Sequence, residues 1–333
     1  MNPETQTADP LLTQRPDFLW GMNLHSNAYT GYPTSLMEEQ LHLCAQMGCT
    51  LIRGGHDGDF QNTDKLVRLC NKYGMKVMIC TDPCIKTTDG AYSPENCYTL
   101  FYTLASRYNG KNGCGKIDYI QISNEVDNWT VLHDPSFCNG NTLTEYKESQ
   151  MEMVCERFAT AVRGIRDADS DVKSVINVAW EHYGLLTYLY EHGLDWDVVG
   201  YDWYEDMAAI YRSRGKRDFE IAETVYGLYH KPILICESNI FKSELVNQED
   251  ASNWDILVDI MRDAYRYPFV EGLCFYELCD EMYHETPGTF EREAHYGFVY
   301  AERDGAMRGV KPVYNRMRAI LGGKDVPKIT EED

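Results

Sequence analysis

What most constrains this chain is an eightfold alternation of short apolar strand runs with amphipathic helical stretches. Strand runs are read at 18–24, 49–53, 75–80, 119–125, 172–179, 196–201, 231–237 and 270–276. Helical periodicity falls between and after them, at 35–47, 63–73, 94–108, 142–168, 184–192, 218–230, 254–265 and 310–321. Gly48 and Gly74 close the first two helices, and Thr142-Leu143-Thr144-Glu145 reads as the capping box of the longest one. Strand and helix in strict succession bury apolar surface by wrapping a parallel sheet with helices, and eight such units close on themselves. The sequence therefore predicts an α/β fold, a single (β/α)8 TIM barrel. A polar leader over 1–16 would precede a barrel over 17–322, and a polar tail over 323–333 would follow it. Connections from helix to strand are short, whereas those after strands four, seven and eight are long, so the strand-to-helix rim is where a site is expected.

Composition excludes some functions. With 31 Lys and Arg against 52 Asp and Glu, the formal charge is −21. Nucleic acid is not an expected partner, since phosphate binding rests on cationic side chains. An anionic membrane surface is disfavoured for the same reason, and no run reaches the roughly 18 apolar residues of a membrane span. The twelve cysteines form no CxxC pair, and several (Cys44, Cys70, Cys80, Cys155, Cys236, Cys274) fall in apolar helical or strand runs. They read as small buried hydrophobes, which favours a reducing compartment over a disulfide framework. Residues 1–16 show neither a basic n-region nor an apolar h-region, so no signal peptide is visible. No cofactor or metal motif stands out.

Two strand runs carry the chemistry. Tyr119-Ile120-Gln121-Ile122-Ser123-Asn124-Glu125 ends on an amide and a carboxylate, and Lys231-Pro232-Ile233-Leu234-Ile235-Cys236-Glu237 ends on a carboxylate 112 residues later. A barrel uses roughly 30–40 residues per unit, which places the two glutamates on strands four and seven. Paired carboxyls at one rim suit glycosidic cleavage, in which one stays protonated for the leaving oxygen and the other attacks as a carboxylate. Arg53 beside Glu237 would hold it ionised, and burial beside Trp129 would raise Glu125. Asn124 can donate to a sugar 2-hydroxyl, and Tyr204 or Tyr276 can position the nucleophile. Asn23, His25, Asp82, Trp180, His182, Trp203 and Glu277 gather at the same strand ends and complete a candidate carbohydrate cleft. Glu277, Asp280 and Glu281 read as an acidic, solvated loop.

In order along the chain, Arg53, Asn124-Glu125, Asp197-Val198-Val199-Gly200 with Tyr204, Glu237 and Lys311-Pro312-Val313-Tyr314 resemble the clan A glycoside hydrolases. The likeness runs from about Phe18 to Leu321. Phe275-Tyr276-Glu277-Leu278 and Gly297-Phe298-Val299 look most like the cellulase-like, family 39-like or family 5-like branches. The resemblance implies a retaining β-glycosidase without cofactor, with Glu125 as acid/base, Glu237 as nucleophile, Asn124 as the 2-hydroxyl ligand, and Arg53 and Tyr204 as supports. The chain departs from the pattern in two places. Phe275 or Tyr276 stands where many members carry a strand-eight Trp, and Asp202-Trp203 precedes the strand-six Tyr in place of Asn or His. Two other readings stay open, a carbohydrate-binding barrel without catalysis and a metal-dependent barrel hydrolase with His25, His182, Asp82 and Glu237 around zinc. A transglycosylase would use the same glutamates with a sugar acceptor.

Overall fold

The structure, a computed structural model, describes residues 12, 14–25, 32–56, 58–81, 93–134, 138–168, 171–240, 254–282 and 293–332. Eight parallel strands close into one barrel in sequence order: β1 Leu19–Leu24, β2 Leu51–Gly55, β3 Lys76–Thr81, β4 Tyr119–Ile122, β5 Lys173–Ala179, β6 Val198–Asp202, β7 Ile233–Ser238 and β8 Val270–Phe275. The seam is the β1–β8 pair, in which Leu19 meets Gly272 and Met22 meets Phe275. The expected (β/α)8 barrel is thus the fold observed.

The helices are α1 Met37–Met47, α2 Phe60–Lys72, α3 Pro94–Arg107, α4 Glu148–Asp167, α5 Tyr183–Glu191, α6 Glu205–Ser213, α7 Ile221–Tyr229, α8 Asp255–Arg266 and α9 Pro312–Ile320. Local chemistry sets their ends. Asp59 accepts the Gln61 N–H at 2.8 Å to open α2, and Ser93 accepts the Asn96 N–H ahead of Pro94 in α3. Gly48 closes α1 in the left-handed region at φ 98°, where a Cβ would be strained. None of the described helices is long and apolar enough to cross a membrane.

Strand alternation sorts the core into two compartments. Leu19, Leu51, Met78, Tyr119, Val175, Val198, Leu234, Cys236 and Cys274 fill the barrel interior. Their neighbours in sequence, among them Trp20, Ile52, Val77, Ile120, Ile176, Val199, Ile235 and Leu273, face the helices and join the larger outer core. Gly200 makes room inside, because a Cβ there would stand 2.6 Å from Asn177 Cβ and 2.9 Å from Cys236 Sγ. The described cysteines are free thiols.

Three local expectations are corrected. The Thr142–Glu145 box does not open the long helix. It caps a single 3-10 turn, Leu143–Glu145, after which Tyr146 is extended and α4 begins only at Glu148. Helix α6 was not expected. It buries only Ala208 and Tyr211, too little apolar surface for a clear period. Between Gly297 and the last helix, where no element is expected, lies an antiparallel hairpin of β9 Val299–Ala301 and β10 Met307–Val310, so that Val310 ends a strand and does not open the helix.

Candidate active site

The inward-facing file of each strand changes character toward the C-terminal rim. Above the apolar floor lie Asn23 of β1, Arg53 of β2, Gln121 of β4, Asn177 of β5 and Asp202 of β6, all buried. Arg53 is the hub of this polar tier. Its Nε donates to Gln121 Oε1 at 2.7 Å and its Nη1 to Asn23 Oδ1 at 2.5 Å. The same Nη1 donates to Glu237 Oε1 at 2.9 Å, and Nη2 donates to Asn124 Oδ1 at 2.6 Å. Burial works against the charge on Arg53, yet Glu237 leads the neighbours that hold its pKa well above the ordinary value.

Glu237 reaches this tier through a break in the strand. Leu234 and Cys236 point inward, so simple alternation would send Glu237 out toward the helices. The β6–β7 register shifts, with Tyr201 opposite Ile235 but Asp202 opposite Glu237, and the β7–β8 register shifts between Ile235 and Ser238. Irregularities of this kind re-aim a side chain. As a result Glu237, 7% exposed, takes Arg53 on one oxygen and the Tyr204 hydroxyl on the other at 2.8 Å. Burial and then the Glu237 charge push the Tyr204 pKa well up, so the phenol keeps its proton and donates.

Glu125 is set by the backbone just past β4. Ser123 and Glu125 both lie at positive φ, 65° and 43°, a conformation that costs a non-glycine residue of order 1–3 kcal/mol and gathers at functional sites. Asn177 Oδ1 accepts the Glu125 N–H at 3.1 Å, and Asn177 Nδ2 donates to Asp202 Oδ2 at 2.6 Å. Asn124 Oδ1 accepts from Arg53, from Gln121 Nε2 at 3.1 Å and from Asn177 Nδ2 at 3.3 Å, which turns its oxygen inward. Burial, followed by the Glu237 and Glu125 charges, raises the Asp202 pKa well above its ordinary value, which favours the protonated form.

At the β1–β8 seam His25 Nε2 lies 3.2 Å from Glu277 Oε2 and 3.7 Å from Glu281 Oε1. Burial lowers the imidazole, but Glu281 and Glu277 outweigh it and lift His25 to about 9. Burial and then Glu281 push Glu277 up to about 8. His25 and Tyr276 meet edge to face at 5.6 Å, and Tyr204 and Tyr276 at 6.4 Å, so this cluster adjoins the Glu237 side of the mouth.

Several expected site residues do other work. Asn23 donates both amide hydrogens to the Cys236 and Phe275 carbonyls and its oxygen meets Arg53, so it positions Arg53 within the barrel. Trp203 is fully buried on the outer face of β6, with its indole N–H on the Asp218 carbonyl, and offers no face to a substrate. Trp180 stacks on Trp203 at 5.9 Å and lies under Arg214. His182 is buried against Asp127 at 2.7 Å, where Asp127 also accepts the Ala179 N–H, so the pair pins the π-helical turn Asp127–Val131 to β5. The acidic loop is not solvated, since Glu277, Asp280 and Glu281 are all buried, with Asp280 on Lys311 at 2.5 Å. The imagined zinc quartet does not assemble, because His25, His182 and Glu237 belong to three separate hydrogen-bonded groups. Asp82 and the Trp129 side chain lie outside the described residues. Gln121, Asn177 and Tyr32 were missed. The only signal for the first two was an amide inside an apolar run.

The barrel is shared with solved structures. A calcium-binding mutant of Bacteroides uniformis beta-glucuronidase 2 matches with TM-score 0.64 at 16% identity, over 93% of this chain and 35% of that one. A hyperthermophilic beta-glucosidase mutant matches at 0.63 and 11% identity over 91% and 99%. The GH53 catalytic domain of Ignisphaera aggregans matches at 0.57 and 16% identity over 96% and 99%. This chain therefore spans about a third of the first protein and nearly all of the other two. These neighbours are glycoside hydrolases with clan A barrels, and the likeness is one of fold. No family model and no curated protein matches the chain.

Proposed function

We propose that the protein is a retaining glycoside hydrolase that cleaves β-linked oligo- or polysaccharide by double displacement. The observation that carries this reading is Glu237, a buried rim carboxylate with one oxygen on a guanidinium and the other on a phenol. The same guanidinium also holds the Asn124 amide that precedes Glu125. Fixed donors of this kind orient a nucleophile and lower the reorganisation needed as its charge is drawn into a bond. In the first step Glu125 gives its proton to the glycosidic oxygen while Glu237 attacks the anomeric carbon, forming a glycosyl ester and releasing the aglycone. In the second, Glu125 takes a proton from water, which attacks the same carbon and frees Glu237. With its oxygen held inward, Asn124 presents its amide NH2 in the sense needed to donate to a 2-hydroxyl. Fold-level likeness to glycosidases supports the reading by analogy.

The test is release of sugar from aryl β-glycosides and a panel of β-linked polysaccharides, with Glu237→Gln alongside. Activity that vanishes in this variant is expected, as is partial rescue of Glu125→Ala by azide on a substrate with a good leaving group. Full activity in either variant removes that residue from its role. Binding to a polysaccharide without turnover would favour the non-catalytic barrel.

A further inference from the structure

Beside the Glu125–Glu237 pair the barrel mouth carries a second group of ligating side chains that the glycosidase reading does not use. His25 at the end of β1, with Glu277 and Glu281 just past β8, offer one ligand atom each, all within 4.8 Å of one another. We propose that these three residues bind one divalent transition-metal ion, of the zinc or manganese type, which ties the end of β1 to the segment after β8 at the edge of the cleft.

Three observations carry the proposal. The first is spacing. Ligands about 2.0–2.2 Å from an ion and 90–110° apart around it stand roughly 3.0–3.5 Å from each other. His25 Nε2 is 3.2 Å from Glu277 Oε2 and 3.7 Å from Glu281 Oε1, so one ion reaches all three with small side-chain shifts. The second is an unmet acceptor. Glu277 is fully buried, and its Oε1 has no hydrogen-bond donor among the described residues. A buried carboxylate oxygen without a donor is costly unless a cation serves it. The third is the outer support. The Tyr32 hydroxyl donates to Glu277 Oε2 at 2.7 Å and accepts the Cys279 N–H at 2.8 Å, which fixes the carboxylate as outer partners of metal ligands do.

Charge and ligand type narrow the ion. Two ionised carboxylates and a neutral imidazole balance the charge of one dication. The buried cations nearby are committed, Arg53 to Glu237 and Lys311 to Asp280. Imidazole with two carboxylates suits zinc, manganese or iron, and magnesium and calcium prefer oxygen ligands throughout. Three protein ligands leave coordination positions for water or for a substrate hydroxyl.

The full chain, stripped with EDTA and exchanged into clean buffer, is titrated with ZnCl2 and separately with MnCl2 by calorimetry, and its Tm is followed. One saturable site and a rise in Tm are expected. Glu281→Gln and His25→Gln should each weaken binding at least tenfold, and Tyr32→Phe roughly tenfold. Glu237→Gln should bind as the wild type does, so the result stands whether or not the glycosidase reading survives. No saturable binding below 1 mM, or wild-type affinity in both Glu281→Gln and His25→Gln, overturns the site. Should those variants fail to fold, the Co2+-loaded wild type decides, since protein ligands shift and strengthen the visible d–d bands relative to those of aqueous Co2+, and bands identical to those of the free ion overturn the proposal.

Discussion

The buried Arg53–Glu237 pair invites a quantitative test that needs no substrate. Arg53→Met keeps most of the side-chain volume but removes the only cation bonded to Glu237 among the described residues, and that glutamate is 7% exposed. Removing one partner of a buried ion pair costs about 3–5 kcal/mol, because the other charge is left uncompensated. Three buried or half-buried acceptors, Asn23 Oδ1, Gln121 Oε1 and Asn124 Oδ1, lose a donor as well, so the upper end of that range is expected. Against a total stability of roughly 5–15 kcal/mol the variant should fold but unfold early.

Urea unfolding followed by tryptophan fluorescence reads this directly, since the chain carries six tryptophans. With an m value near 3 kcal/mol/M, the midpoint should fall by about 1–1.7 M. The decisive comparison is Arg53→Met/Glu237→Gln. Neutralising Glu237 removes the uncompensated charge, so the double variant should be more stable than the sum of the two single losses predicts, by about 2 kcal/mol or more. Additivity within about 0.5 kcal/mol would refute the claim that Arg53 acts chiefly as the counter-charge of Glu237.

Two further outcomes follow from the same tier. Tyr204→Phe removes one hydrogen bond to a charged carboxylate, about 1.5–3 kcal/mol, so kcat on an aryl β-glycoside should fall roughly ten- to hundredfold with a small change in KM. An unchanged kcat would sink the assigned role. Asp202 has its folded pKa raised by burial and by the Glu237 and Glu125 charges, so the folded chain holds a proton that the unfolded chain releases. Wild-type stability is therefore lost as pH climbs above the ordinary carboxylate range, and the Tm advantage of Asp202→Asn should widen between about pH 5 and 8. A difference that stays flat with pH would mean that Asp202 is ionised.

Residue parity explains what the sequence disclosed and what it hid. The barrel was legible because its strands, buried on both faces, read as apolar runs of the right length, each followed by a helical period. Trp203 was misplaced for want of that same parity. Val198, Gly200 and Asp202 form the inward file of β6, so Trp203 must face the helices, and only its aromatic type suggested a cleft. Glu237 shows the opposite case. Its parity after Leu234 and Cys236 argues for the outer face, and the register shift that turns it inward leaves no trace in composition. Motif reasoning reached Glu237 where periodicity alone would have rejected it. The His25 cluster was hidden for another reason. Acidic residues after a strand are ordinary loop composition, and their burial arises from Tyr32 and His25, far away in sequence.

The polar tier explains why the candidate site tolerates so much buried polarity. Arg53 bonds to Asn23, Gln121, Asn124 and Glu237, and Asn177 bonds to Asp202, Asn124 and the Glu125 backbone. Every strand except β3 and β8 thus supplies a residue to one network or its immediate continuation, and neither glutamate is held by its own strand alone. A network of this kind is costly when half satisfied and rigid when nearly complete. It is nearly complete here, and the raised pKa of Asp202 favours a proton where a third negative charge would compete with Glu237 for Arg53. The left-handed backbone at Ser123 and Glu125 fits the same logic, because strain at the end of β4 persists only where surrounding bonds over-determine it. On the glycosidase reading proposed above, the tier preorganises the two carboxyls, and Asn124 is the member of it assigned to the sugar. On that reading the contacts that choose the sugar would come from groups above the tier, among them Tyr276, which meets both Tyr204 and His25.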